Sequence, residues 1–277
     1  RGGPGGNDYN AFASFLLGFA ERGGRIIQFP DEYKTRTQLF SAYVRDRWQV
    51  TPRLTLNYGL RWEMFPFPTR EDRGLERYDF ATNQMLVCGV GPIPTNCGVS
   101  VSKTNFAPRL GVAWRATDTF VVRAGYGITN DPFNWARPLR TNYPIMEVQN
   151  FFAPNSRSWA LTLNEGLPRT TPPPTGGIIP IPLTAAATVV DQRAKRGYIQ
   201  SWNLTMEKQI GRWIGSAGYV ATRSVNPLVR FDANYSGIDE GNAGRQLNKL
   251  FGRIATTTYH GSPNYTGKYD SLQARLQ

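Results

Sequence analysis

From residue 38 onward, tight turns and long connections alternate along the chain, and the segments they join alternate residue by residue between apolar and polar. No other feature constrains the fold as strongly. The pattern is clearest in the first pair of segments. In LTLNYGLRWEMF, Leu54, Leu56, Tyr58, Leu60, Trp62 and Met64 fall on one side, and Thr55, Asn57, Gly59, Arg61 and Glu63 on the other. In QLFSAYVRDRWQV, Phe40, Ala42, Val44, Trp48 and Val50 oppose Ser41, Tyr43, Arg45, Arg47 and Gln49, with Asp46 alone out of place. A period of two is the period of a strand, so the arms form a hairpin with one apolar and one polar face, turning at Thr51-Pro52-Arg53.

The same signature returns. In NFAPRLGVAWR, Phe106, Pro108, Leu110, Val112 and Trp114 share a face, and TFVVRAGYGIT returns after Thr117-Asp118 with Phe120, Val122, Ala124, Tyr126 and Ile128. Pro108 is expected where no ladder hydrogen bond is needed, or at a bulge. Residues 198–210 and 213–222 form a third hairpin around Gly211-Arg212, and 269–277 opens a further strand. Residues 10–21, with Phe12, Phe15, Leu17 and Phe19, read as a strand, with a short helix as the competing reading. The connections at 66–104, 130–197 and 224–268 run to tens of residues. The middle one carries Pro172-Pro173-Pro174 and Gly176-Gly177, which cannot form a central strand, and 158–164 is expected as a small hairpin arm within it.

Long structureless connections count against a compact soluble domain. Short turns at one end and long loops at the other are the pattern of outer-membrane barrels, and each arm matches the roughly 9–11 residues a tilted strand needs to cross a bilayer. The expected fold class is therefore all-β, an antiparallel transmembrane β-barrel segment of about eight spanning strands with short periplasmic turns and long extracellular loops. Residues 1–9 are expected to be a flexible Gly-rich start, and 10–277 part of one barrel domain. Trp48, Trp114 and Trp213 lie beside the short turns, where a periplasmic aromatic girdle would sit. The core of a β-sandwich is the competing reading of the same tryptophans.

Composition narrows the classes. With a mean hydropathy of −0.42 no segment reads as a transmembrane helix, and the longest apolar run, 15–20, is far too short to span. A barrel is invisible to that test, because half of each strand is polar. The net charge of +12 raises nucleic-acid binding. The Lys and Arg residues are scattered, however, and no helix-turn-helix, zinc-finger or ribonucleoprotein motif is present, so no nucleic-acid partner is expected. Cys88 and Cys97 flank a Pro/Gly-rich loop and are a disulfide candidate in an oxidising compartment. Metal binding, with no His or third Cys nearby, and two free thiols are the alternatives. His260 is the only histidine, and its nearness to Ser262 does not make a triad. Gly89-Val90-Gly91 and Gly125-Tyr126-Gly127 lack the elements of a nucleotide loop. No catalytic residue, metal ligand or cofactor is expected.

The run YVRDRWQVTPRLTLNYGLRWE carries a resemblance. Tyr43, Val44, Asp46, Trp48, Thr51, Pro52, Leu54, Thr55, Leu56, Asn57, Gly59, Leu60, Arg61 and Glu63 match a motif of the β-barrel of TonB-dependent receptors. The match is closest to the Oar-like branch, of acidobacterial type. NFAPRLGVAWR, SWNLTMEKQIGRWIGSAGYVATRS and SPNYTGKYDSLQARLQ are similar to other barrel segments of the family. The resemblance implies a 22-stranded barrel in the outer membrane of a Gram-negative bacterium, filled by an N-terminal plug and driven from the inner membrane through a TonB box. The Oar-like branch often adds an N-terminal carboxypeptidase-regulatory-like β-sandwich. No TonB box, plug or sandwich is recognisable here, and the chain opens RGGPGGNDYN and ends Leu276-Gln277. The expectation is an internal, processed or truncated piece of such a barrel.

The implied function is energy-coupled uptake of a small molecule, glycan or peptide, with lipid and the TonB complex as partners and no enzyme activity. A soluble or surface-exposed all-β module, such as a carbohydrate-binding sandwich, is the alternative, and an outer-membrane barrel enzyme a third. Arg61, Glu63, Arg109 and Arg123 sit on the expected inward face and are candidates to line the lumen and meet plug or substrate. Solvated or paired wall residues are the competing reading. The loop aromatics Trp135, Tyr143, Phe151, Phe152 and Trp159 are candidates either to stack on ligand or to stabilise the loops.

Overall fold

The structure is a computed structural model that describes residues 8–30, 32–132, 134–153, 158–261 and 264–277. Residues 1–7 of the expected Gly-rich start, and Ser262, lie outside them. Seven long strands dominate: β1 (Phe40–Thr51), β2 (Leu54–Met64), β3 (Asn105–Thr117), β4 (Phe120–Asn130), β5 (Tyr198–Ile210), β6 (Trp213–Val225) and β7 (Thr266–Leu276). They form one antiparallel sheet in which every strand pairs with its neighbours in sequence, the simplest up-and-down order. The sheet is open, as a segment of a larger barrel is.

The sheet holds seven of the roughly eight strands expected for a segment of this length. The eighth candidate, 10–21, is instead the helix α1 (Asp8–Leu16) followed by the short strand Phe19–Ala20. Phe12, Phe15 and Leu16 are spaced three and four apart, a helical rather than a strand period, and Gly18 (φ +75°) ends the helix in the left-handed conformation that glycine adopts without strain.

Every tight turn lies at one end of the sheet. Ile210 pairs directly with Trp213, and Gly211 (φ +61°) takes the first central position of that two-residue loop, where a type II′ turn requires positive φ. The registers shift between Gln49 and Thr51 and between Arg115 and Thr117, bulges beside the other two turns. Arg53 reaches from the first turn to Asp118 in the second, at 3.2 Å. Pro108 pairs with Leu60 of β2, and the ladder to β4 begins one residue later, at Arg109 opposite Gly127.

The registers carry the alternation across the sheet. One row reads Trp48, Leu56, Val112, Ala124, Leu204, Tyr219 and Leu272 from β1 to β7. This apolar face has no second layer over it among the described residues. Trp48 (54 %), Trp114 (48 %), Trp213 (50 %) and Leu272 (83 %) are exposed, as are Val44, Tyr58, Leu60, Phe106, Leu110, Met206 and Ile210. Soluble monomers rarely expose apolar patches beyond about 300–600 Å². A sandwich would have buried this face under a second sheet, so the sandwich expectation does not hold.

The buried core lies in the long connections. One cluster joins Tyr78, Met85, Val87, Tyr143, Ile179, Ile181 and Leu247, and a second joins Phe67, Leu75, Val99, Trp135, Leu139 and Val190. Expected as loops, these connections carry strands of their own. Ile178–Pro180 pairs with Gln84–Val87, which pairs with Glu76–Asp79. Ala187–Val190 runs parallel to Thr257–Gly261, whose other edge pairs with Val229–Asp232. Residues 158–164 form no hairpin of their own: Leu161–Thr162 pairs with Phe19–Ala20. The helices α2 (Ala136–Leu139) and α3 (Gln246–Phe251) complete a folded cap at the end opposite the turns.

Candidate functional site

The polar face of the sheet bounds a trough of about 1040 Å³, lined from β1 to β5. Its cross-strand rows follow from the registers. Arg45, Gly59, Arg109, Gly127 and Ser201 form one row, and Arg47, Asn57, Gly111, Gly125 and Asn203 the next toward the turns. Tyr43 and Arg61 stand on the cap side. Four glycines leave the centre without side chains. At Gly59 the approach is close: a Cβ there would lie 2.9 Å from the Val44 carbonyl oxygen and 3.1 Å from the Arg45 Cβ.

The four sequence candidates occupy different places on this face. Arg61 and Arg109 line the trough. Glu63 lies at its upper rim, where it pairs with Arg61 at 2.9 Å and accepts a hydrogen bond from Asn130 Nδ2 at 3.0 Å. Asn105 Nδ2 donates to the Glu63 carbonyl and Asn130 Nδ2 to the Asn105 carbonyl at 3.3 Å, which ties β2, β3 and β4 together at the cap end of the sheet. Arg123 lies nearer the turns, outside the trough lining, and pairs with Glu207 of β5 at 2.5 Å. Arg61 and Glu63 thus form one unit, and Arg109 and Arg123 are separate.

Arg45 and Arg47 also line the trough. They share the period of Arg61, and the pairing of β1 with β2 brings them beside Gly59 and Asn57. Among the described residues, Arg45, Arg47 and Arg109 have no carboxylate within ion-pairing distance. Asp46, whose backbone borders the trough, belongs to the other face, where it accepts a hydrogen bond from the Tyr58 hydroxyl at 2.9 Å. The same face holds a second such cluster, in which Asp270 accepts from the Tyr219 hydroxyl and from Arg223.

At the cap end of the sheet, Arg196 bridges the segments that follow β2 and β4. Its guanidinium lies 3.7 Å from the centre of the Phe65 ring and donates to the Asp131 carbonyl at 2.8 Å. Burial lowers its pKa to about 10, opposed by the charges of Asp131 and Glu63. The cap is held by polar side chains that bridge its strands. Asn142, fully buried, donates to the carbonyls of Glu76 and Thr188 and accepts from Thr188 N–H. Asn234 donates to the carbonyls of Arg253 and Ala255 and accepts from Leu247 N–H. Arg253, also fully buried, donates to the carbonyls of Pro182 and Ala185 and lies over the Tyr78 ring. Glu76 is held between Arg73 and Arg70, and desolvation nonetheless raises its pKa. Cys88 and Cys97 are joined by a disulfide with their Cα atoms 5.1 Å apart, closing the loop 88–97 within the connection 66–104. Of the loop aromatics, Trp135 and Tyr143 are buried in the cap, whereas Phe152 and Trp159 are exposed, Trp159 stacked on Phe19.

A bare apolar face, a polar trough behind it, turns at one end and a folded cap at the other describe a wall between lipid and a lumen. The family model for the outer membrane beta barrel domain matches residues 1–277. The chain belongs to that family. No curated protein sequence matches it. Among solved structures it is similar to the siderophore receptor PirA from Pseudomonas aeruginosa, at 14% identity over 87% of this chain, with a TM-score of 0.41. It is also similar to the siderophore receptor PirA from Acinetobacter baumannii, at 11% identity over 87% of this chain, with a TM-score of 0.42. This outer-membrane barrel segment spans 31% and 25% of the length of those two chains. Its place is the outer membrane of a Gram-negative bacterium, and the soluble binding module considered as an alternative is overturned by the family and by the uncovered apolar face.

Proposed function

We propose that this chain is part of the barrel domain of a TonB-dependent receptor of the Oar-like branch, and that the whole protein takes up a solute across the outer membrane. The observation that carries the reading is the polar trough behind a lipid-facing wall, with a cap whose strands come from several loops at the end opposite the turns. The cap supplies a shaped extracellular surface, and the trough a polar path beneath it. The motif from Tyr43 to Glu63 supports the Oar-like assignment. The reaction makes and breaks no bond in this chain. Energy comes from the inner membrane through a TonB box and a plug that belong to other parts of the protein. Arg61, Glu63, Arg109 and Arg123 face the lumen in this reading, and residues 10–277 form a single stretch of one barrel of 22 strands.

The test is growth or solute accumulation by cells that depend on the full-length protein, with and without a functional TonB. Uptake is expected to disappear without TonB. Uptake that persists would leave a passive barrel and end the receptor reading.

A further inference from the structure

We propose that the lipid side of the wall, where β4, β5 and β6 meet the periplasmic turns, holds the head group of an anionic phospholipid of the periplasmic leaflet. The site lies on the side that a plug in the lumen does not reach, and it is independent of the uptake reading. Two turns stand side by side there. The Gln209 N–H of β5 donates to the Thr119 carbonyl at 2.9 Å, and Phe120, the first residue of β4, pairs in register with Lys208. Lys208 pairs in turn with Gly215 of β6, and Ile210 with Trp213 across the second turn. Counted along the strands, Phe120, Lys208, Ile210, Trp213 and Gly215 share the side of Leu204 and Tyr219, the side turned to lipid.

Two cations stand in this apolar strip, each laid against a ring. The Lys208 ammonium donates to the Thr119 hydroxyl at 3.0 Å and lies 6.0 Å from the centre of the Phe120 ring. The Arg212 guanidinium lies 5.4 Å from the Trp213 ring. Lys208 is two residues along β5 from the pair formed by Ile210 and Trp213, about 7 Å along the wall. One phosphodiester is therefore within reach of both side chains. Among the described residues no carboxylate pairs with either cation: Glu207 is bonded to Arg123 on the other face, and Asp118 to Arg53 in the turn. Gly215 leaves the space beside Lys208 open, with the Lys208 carbonyl 3.9 Å from where a Cβ would stand. Nearer the middle of the wall the same side carries Val122, Met206 and Ala217, which suit an acyl chain. Rings and basic groups at the head-group level with aliphatic residues beyond them repeat the layering of a phospholipid. Charge decides which phospholipid. A zwitterionic head group brings its own ammonium to the phosphate, whereas phosphatidylglycerol leaves its phosphate to the two cations.

The experiment is native mass spectrometry of the full-length protein in detergent micelles, with phosphatidylglycerol or phosphatidylethanolamine added. Phosphatidylglycerol is expected to be retained more tightly, and the native protein to retain at least one more molecule of it than the double variant Lys208→Gln, Arg212→Gln. Each single substitution is expected to weaken that last site about fivefold, the contribution of one basic residue at a charged membrane surface. Arg109→Gln, on the lumen face, is expected to leave the count unchanged. Resistance to sodium dodecyl sulfate on unheated gels checks that each variant is folded. The same phosphatidylglycerol count in the double variant overturns the proposal. So does an equal loss of both lipids, which would mean that the strip reads acyl chains and not head-group charge. The measurement needs neither TonB nor a solute, so its failure is separate from that of the uptake reading.

Discussion

His260 and Asn142 show what single residues do in the cap. His260 lies on Thr257–Gly261, half-buried, opposite Arg230 in the register. Burial lowers its pKa below the ordinary value of 6.5, and the charge of Arg230 adds to the effect. A folded-state pKa below the unfolded one means that the unfolded chain takes up the proton more readily. Stability from this group is therefore complete above the unfolded pKa and falls as pH drops through 6.5 toward the folded value. Hydrogen exchange at 257–261 is expected to speed up between pH 7 and pH 5, relative to the rest of the cap, and His260→Gln to remove that dependence. Exchange that stays flat in the native protein would contradict it. Asn142 is fully buried and serves three backbone groups, two carbonyls and one N–H. Asn142→Ala leaves them without partners and is expected to destabilise the cap by roughly 2–4 kcal/mol. The readout is protease sensitivity near 188, while the sheet beneath keeps its protection.

The wall strands were legible in the sequence because their signal is local. A period of two is visible within a single strand, and tight turns announce themselves by Thr-Pro-Arg, Thr-Asp and Gly-Arg. The cap was not legible, because its contacts join residues far apart. Asn142 and Thr188 are 46 residues apart, and Arg253 and Ala185 are 68 apart. Nothing periodic precedes such pairs, and a stretch rich in Pro and Gly reads as loop whether or not it folds. The basic trough was half legible: Arg61 and Arg109 were visible on inward faces, but the row of Arg45, Gly59 and Arg109 required the pairing of three strands. The two faces of a strand give a direct test. Leu204 and Thr205 are neighbours near the middle of β5, one on the apolar face and one on the polar face. Leu204→Arg places a charge in lipid and is expected to lower barrel stability by about 2–4 kcal/mol, whereas Thr205→Arg is tolerated. Unfolding by urea in micelles or liposomes measures the difference, and equal effects would mean the faces are misassigned.

At the scale of the whole molecule, the chain is divided by solvent. The wall exposes its apolar residues and buries few, and the cap buries its own core in water-facing loops. Orientation follows, with the cap outside the cell and the turns in the periplasm. Ile238, 93 % exposed at the surface of the cap, and Asp118, in the second turn, are suitable probes, since the structure has no free cysteine among its described residues. In intact cells an impermeant maleimide is expected to label Ile238→Cys and not Asp118→Cys, and to label both once the outer membrane is opened. Labelling in the reverse order would invert the topology.

The tight turns set the pairing of β1 with β2, β3 with β4, and β5 with β6. They leave β2 with β3, β4 with β5, and β6 with β7 without any such guide, because tens of residues separate those strands. A slip of two residues along one of these pairs keeps every side chain on its proper face, so neither lipid nor lumen would oppose it. It would, however, carry the loop ends about 7 Å along the wall. Asn105 would lose the Glu63 carbonyl, Arg123 would lose Glu207, and the strands of the cap would no longer meet. The cap therefore acts as a gauge: it closes only over a wall whose strands are in step.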